Sequence, residues 1–121
     1  MKKRGTAMSD HITTRPATGT WSVRAGGAVI GESKNAIELI EGDLPPVIYF
    51  PKSDLAMAFL DQTHQTSICP YKGSATYYSI VTKSQTLANM GWSYETPIAG
   101  MEAIAEHIAF YTQNQVAVEQ I

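Results

Sequence analysis

The residues best suited to chemistry fall in one short string, Cys69-Pro70-Tyr71-Lys72-Gly73. Cys69 is the only thiol of the chain. An ammonium three positions on, in the same turn, would stabilise its thiolate, the nucleophilic form. The same thiol at a strand end packs equally well as a small, inert hydrophobe. His64, five residues upstream, would be its base, but an odd offset along an extended strand sends two side chains to opposite faces. Lys72 and Gly73 offer a second chemistry, because an ammonium and the backbone N–H groups of a turn can hold a phosphate or a carboxylate. Against it, Gly73 can supply a backbone angle alone, and Lys72 can pair with Asp54 or Glu41. Asp54 is itself either an acid catalyst or an ordinary first-turn residue of a helix.

Tyr49, Tyr71, Tyr77, Tyr78, Trp92 and Tyr94 lie in or beside such strings. Aromatic side chains with polar tips can line a pocket for a planar or sugar-like ligand, and they equally form cross-strand core pairs. Tyr77 and Tyr78 are adjacent on one expected strand and so must face opposite ways. Metal chemistry finds no support: His11, His64 and His107 are far apart, and no Cys-x-x-Cys or His-x-x-His spacing exists. Gly26-Gly27-x-x-x-Gly31 is followed by strand formers where a phosphate loop needs a helix.

These residues must be positioned by a chain of 121 residues, the size of one domain. Nine Lys and Arg against eleven Asp and Glu, a net charge of −2, do not provide the clustered basic surface that nucleic acid requires. With 44% hydrophobic residues the chain can bury a core without disulfides. Met1-Lys2-Lys3-Arg4 has no apolar segment behind it to make a signal peptide, and no window is long and apolar enough to span a bilayer. A cytoplasmic protein is expected. Met8 reads as an alternative start, and residues 1–18 are set aside as a flexible extension of a single domain over 19–121.

Trp21–Ala25 alternates apolar and polar residues, Gly26-Gly27 turns the chain, and Ala28–Glu32 completes a hairpin. Further strands are expected at Ala36–Glu41, Val47–Phe50, Ala75–Thr82 and Thr86–Tyr94. Ser53 as a cap and the run Leu55–Leu60 predict a short helix over 54–61. Polar Gln62–Ser67 lead from it to the cysteine turn. Met101, Ile104, Ala105, Ile108 and Tyr111 make a stripe at helical spacing, predicting a C-terminal amphipathic helix over 100–112. Phe110 falls outside that stripe, exposed, covered by the tail, or packed on a second subunit. Strands in excess of helices point to an α+β fold with a mostly antiparallel sheet.

Tyr49-Phe50-Pro51 with Asp54, the string Cys69-Pro70-Tyr71-Lys72-Gly73-Ser74-Ala75-Thr76-Tyr77, and Trp92-Ser93-Tyr94-Glu95-Thr96-Pro97 together resemble the family catalogued as domain of unknown function 427. The likeness runs from about Trp21 to Val116. It implies a fold similar to the β-tent group, which includes methionine sulfoxide reductases of the R-specific type and zinc-binding ligand modules. Those relatives often hold zinc through paired Cys-x-x-Cys motifs, and a single cysteine does not carry that site over. The family bears a nucleotidyltransferase-style name without an established activity. Such an enzyme would want closely spaced carboxylates for Mg²⁺, a pattern that Asp43, Asp54 and Asp61 lack.

Three functions remain in view. The first is a domain binding a small molecule or anion, without a cofactor or metal, between Tyr49, Asp54, Tyr77, Trp92, Tyr94 and the Lys72-Gly73 turn. The second is a small enzyme with Cys69 as nucleophile or redox thiol. The third is a homodimeric interaction module using Phe110 and the apolar tail Val116–Ile121. None involves nucleic acid or a membrane.

Overall fold

Period-two alternation governs far more of this chain than its helix-like stripes suggest. A computed structural model describes residues 11–121. The choice between Met1 and Met8 as the start concerns residues outside that range. Of the segment set aside as an extension, Ile12–Pro16 form the first strand, β1. The others are β2 (Trp21–Ala25), β3 (Ala28–Ser33), β4 (Ile37–Glu41), β5 (Val47–Pro51), β6 (Leu60–Cys69), β7 (Gly73–Val81), β8 (Thr86–Ser93), β9 (His107–Phe110) and β10 (Val116–Gln120). Seven of them form one sheet in the order β1-β4-β5-β9-β8-β7-β6, and a second sheet runs β10-β2-β3. Every ladder is antiparallel.

Adjacent residues on the central strands serve two separate cores. Phe50 pairs with Ile108, and both join Val23, Ile30, Ile80 and Phe110 in the core beneath the smaller sheet. Tyr49, Tyr77 and Ala109 point the other way, into a second core closed by Tyr94, Met101, Ile104 and Ile12. Tyr77 and Tyr78 divide between the two cores, as their adjacency requires. Both faces of the large sheet are therefore covered.

The expected α+β fold is corrected to an all-antiparallel one, in which no helix of the described residues reaches seven residues. The helix over 54–61 is replaced by two 3₁₀ turns, Lys52–Asp54 and Met57–Phe59, with Leu60 already starting β6. Long-range partners capture the backbone there. Ala56 N–H donates to the Ile30 carbonyl at 2.7 Å, and Leu55 bridges to Gly31. That approach is so close that a Cβ on Gly31 would lie 2.6 Å from the Asp54 carbonyl oxygen. Polar Gln62–Ser67 belong to β6, an edge strand.

The C-terminal helix over 100–112 is also overturned. Only Glu102–Ile104 form a 3₁₀ turn, Glu106 takes a left-handed φ of 61°, and His107–Phe110 run as β9. Ile108 and Phe110 alternate with Ala109, and each side chain enters a core. Phe110 is thus buried, edge-on to Phe50 with ring centroids 6.1 Å apart. Its ring packs within the chain rather than lying exposed. The apolar tail lies along β2 as β10.

One charged cluster ties the ends of β5, β7 and β8. Lys52 donates to both Glu95 oxygens at 2.8 and 2.7 Å, Tyr78 donates at 2.9 Å, and Ser93 donates as well. Burial alone would raise the Glu95 carboxyl, but these donors outweigh it and hold the group below the ordinary carboxylate range. A folded-state value below the unfolded one means that the contribution is present above about pH 4.5 and fades as pH falls through the folded value. Glu95→Gln should therefore cost about 1–2 kcal/mol at neutral pH. Denaturation curves should show that deficit shrinking in acid; an equal deficit at every pH would assign the loss to packing.

Candidate functional site

The cysteine turn, β5 and the end of β8 do come together, but as a packed core. Cys69, Tyr71 and Trp92 pack against the cluster of Tyr49, Tyr77 and Tyr94. Trp92 donates its indole N–H to the Tyr49 hydroxyl at 3.2 Å, with the two rings edge to face. Tyr77 and Ser67 share a hydroxyl hydrogen bond of 2.9 Å. Burial pushes the phenols of Tyr49 and Tyr94 well above their ordinary value, with Cys69 among the neighbours adding to it. These tyrosines stay protonated and act as neutral packing groups.

Lys72 does not present a free ammonium. Its side chain is only 10% exposed, it donates to Glu41 Oε1 at 3.0 Å, and it lies 5.9 Å from the centre of the Tyr94 ring. Glu41 also meets His11 at 3.6 Å. The backbone of the turn is engaged too. Lys72 N–H donates to the Cys69 carbonyl and Ile98 N–H to the Lys72 carbonyl. Gly73 opens β7 beside Thr96 and Pro97. An anion at this turn would have to compete with Glu41 for a mostly buried cation.

Asp54 stands apart from this cluster. Its Oδ2 accepts from Ser33 Oγ at 2.6 Å, which fastens the Lys52–Asp54 turn to the end of β3. His64 and Cys69 are both on β6, where a rise of about 3.3 Å per residue separates five positions far beyond hydrogen-bond reach. Among the described residues, no group of three or more His, Cys, Asp or Glu could hold a metal ion.

Of the expected pocket residues, Asp54 borders a shallow hollow of about 300 Å³ beside Ser33 and Lys34, and Trp92 lines a deeper, apolar one. The β5–β9 ladder consists of two pairs, Phe50 with Ile108 and Pro51 with His107. Beyond it the strands part, and Val47 and Ile48 on one side and Phe110 and Tyr111 on the other border a cleft of about 580 Å³. Trp21 and Val118 of the smaller sheet close one wall, and the Leu44-Pro45-Pro46 loop forms a rim. Trp92 and Tyr111 lie with ring centroids 4.6 Å apart.

The lining is mostly apolar, with four aromatic rings among aliphatic and proline side chains. Both indole N–H groups are already bonded inside the protein, Trp21 to the Thr18 carbonyl at 3.0 Å and Trp92 to Tyr49. The charged residue at the cleft is Glu38, and it accepts from Arg15 at 2.7 Å. Burial, then the Tyr77 hydroxyl, raises the Tyr111 phenol, which keeps it neutral. Leu44 is 62% exposed and Tyr111 40%, so apolar surface remains open to solvent here. In the sequence, Pro45-Pro46 reads only as a strand stop and Tyr111 as the end of a helical stripe. The signal available was the solvent-facing Leu44 ahead of two prolines.

The chain belongs to the family described as Domain of unknown function (DUF427), whose profile matches residues 13–121. No curated protein matches the chain. No helix of the described residues is long and apolar enough to cross a membrane.

The Lys72–Glu41 pair predicts a structural phenotype. Removing one partner strands a charge that is largely shielded from water, so Lys72→Ala should destabilise the unliganded protein by about 2–3 kcal/mol, less than for a fully buried pair because Glu41 is a quarter exposed. Thermal melts of Lys72→Ala, Glu41→Ala and the double variant should show a double-variant loss smaller than the sum. Strict additivity would mean the pair is not coupled.

Proposed function

We propose that this chain is a small-molecule-binding domain whose cleft between β5 and β9 takes a flat apolar ring system, neutral or cationic. The observation that carries this reading is a hollow of about 580 Å³ walled by Trp21, Trp92, Phe110 and Tyr111 with its indole N–H groups already satisfied. That volume suits a small molecule and is too narrow in chemistry for a polar one: stacking faces are on offer, but few hydrogen bonds. Glu38 at the rim disfavours an anion and tolerates a positive charge. The ligand enters where the sheet itself parts, so binding requires no strand to move. Neither Cys69 nor the Lys72 ammonium takes part.

The reading is tested by titrating the protein with indole, N-methylquinolinium and naphthalene sulfonate while following backbone amide shifts and tryptophan fluorescence. Residues 47, 92 and 111 should respond to the first two and less to the sulfonate. Tyr111→Ala removes a half-exposed stacking face and should weaken binding about tenfold with little change in melting temperature. Unmoved resonances with all three probes, or unweakened binding by the variant, would refute the assignment.

A further inference from the structure

A further hollow, of about 420 Å³, lies at the far end of β2 from the apolar cleft. It is bounded by the β2–β3 turn at Gly26-Gly27, the β7–β8 turn over Thr82–Gln85, Gln115 just before β10, and the ring of Phe59. The parts are of different chemical kinds and converge from four places in the chain. Phe59 leaves 36% of its surface open. Lys83 is exposed and makes no ion pair among the described residues.

Two carboxamides meet in this hollow. Gln85 Nε2 donates to Gln115 Oε1 at 3.2 Å. That bond leaves Gln85 Oε1 as an acceptor and Gln115 Nε2 as a donor, neither bonded to another described residue. Gln115 is held at some cost, because it and Asn114 both take left-handed backbone angles, φ 74° and 51°. Its carbonyl is fixed by the Gly26 N–H at 2.9 Å. Gly26, itself at φ 60°, provides the space: a Cβ there would lie 3.1 Å from Gln115 Oε1 and 3.5 Å from Gln85 Nε2. A turn alone would be served better by glycine at 115 than by a long side chain in a strained conformation.

We infer that this hollow is a binding site for a hydroxylated ring carrying one negative group, the chemistry shared by uronic acids and sugar phosphates. The C–H face of such a ring packs on Phe59. Its hydroxyls meet the open donor of Gln115 and the open acceptor of Gln85, a pairing that a flat hydrocarbon cannot use. Its charge meets Lys83. The site is independent of the apolar cleft at the other end of β2, and neither needs the other to be occupied.

The experiment is an amide-shift titration of the full chain with glucose, glucuronate, glucose 6-phosphate and inorganic phosphate. Shifts should be confined to residues 25–28, 59, 82–85 and 115. The two charged sugars should bind about threefold tighter than glucose, the contribution of one exposed cation. Lys83→Gln should erase that difference. Whichever charged sugar binds tighter identifies the anionic group. Gln115→Gly should hold or raise the melting temperature by relieving the left-handed strain, yet weaken sugar binding. Sugar binding unaffected by Gln115→Gly, inorganic phosphate binding as well as the charged sugars, or no response around Phe59 would each overturn the inference.

Discussion

Two backbone pairs, Phe50 with Ile108 and Pro51 with His107, join the halves of the large sheet. On one side lie β1, β4 and β5, built from the first half of the chain; on the other lie β9, β8, β7 and β6. Such a short ladder could not hold two sub-sheets together by backbone bonding alone. It is reinforced above and below by side chains that cross it. Phe50 meets Phe110 in one core, Tyr49 bonds Trp92 in the other, and Lys52 grips Glu95 at the end. Lys52 N–H also donates to the Glu106 carbonyl at 3.0 Å, which pins the left-handed residue that turns the chain into β9.

The same short ladder explains why the residues of the cysteine turn are packed and paired and why a hollow opens elsewhere. Where the strands pair, the motif residues are drawn inward to seal the joint, and their polar atoms find partners in one another. An ammonium taken out of water must have a counter-charge, and Glu41 at the end of β4 supplies it across the same face. Where the strands part, Tyr111 lies just past β9 with no ladder partner on β5, and its ring meets that of Trp92 at a cleft walled by the smaller sheet. Packing and pocket are two consequences of one register.

Strands were legible from residue type where turn residues bound a run of strand formers: those expected at Trp21–Ala25, Val47–Phe50 and Ala75–Thr82 appear as Trp21–Ala25, Val47–Pro51 and Gly73–Val81. The errors came from short apolar runs that satisfy two periods at once. Met101, Ile104 and Ile108 fit a helical stripe, but they do not share a core, since Ile108 faces the opposite side of the sheet from Met101 and Ile104. Phe110 was the telling residue: misplaced on a helical wheel, it sits two positions from Ile108 on a strand and shares its face. Leu55–Leu60 has good helix formers, yet its amides are claimed by Ile30 and its own tight turns, an interaction 26 residues distant that no local pattern reveals. Of the expected site residues, Tyr49, Cys69, Tyr77, Trp92 and Tyr94 share the second core, and Lys72 reaches the Tyr94 ring from the turn that Gly73 ends. Asp54 does not join them, because its partner is Ser33, whose proximity only the fold creates.

The strings that carry the family likeness and the surfaces left open therefore separate along the chain. The strings that carry the likeness, around Tyr49, Cys69 and Trp92, are mostly residues with their polar atoms satisfied and their faces packed, so they specify how the sheet closes. The surfaces still able to meet a ligand are made largely by other residues, Leu44, Tyr111 and Val118 at one end of β2, and Phe59, Lys83 and Gln115 at the other. A chain sharing the first set but differing in the second would keep this fold and present different open surfaces. Strain at Gln115 and exposed rings at Tyr111 and Phe59 are tolerated at turns and rims, positions that sheet closure does not require.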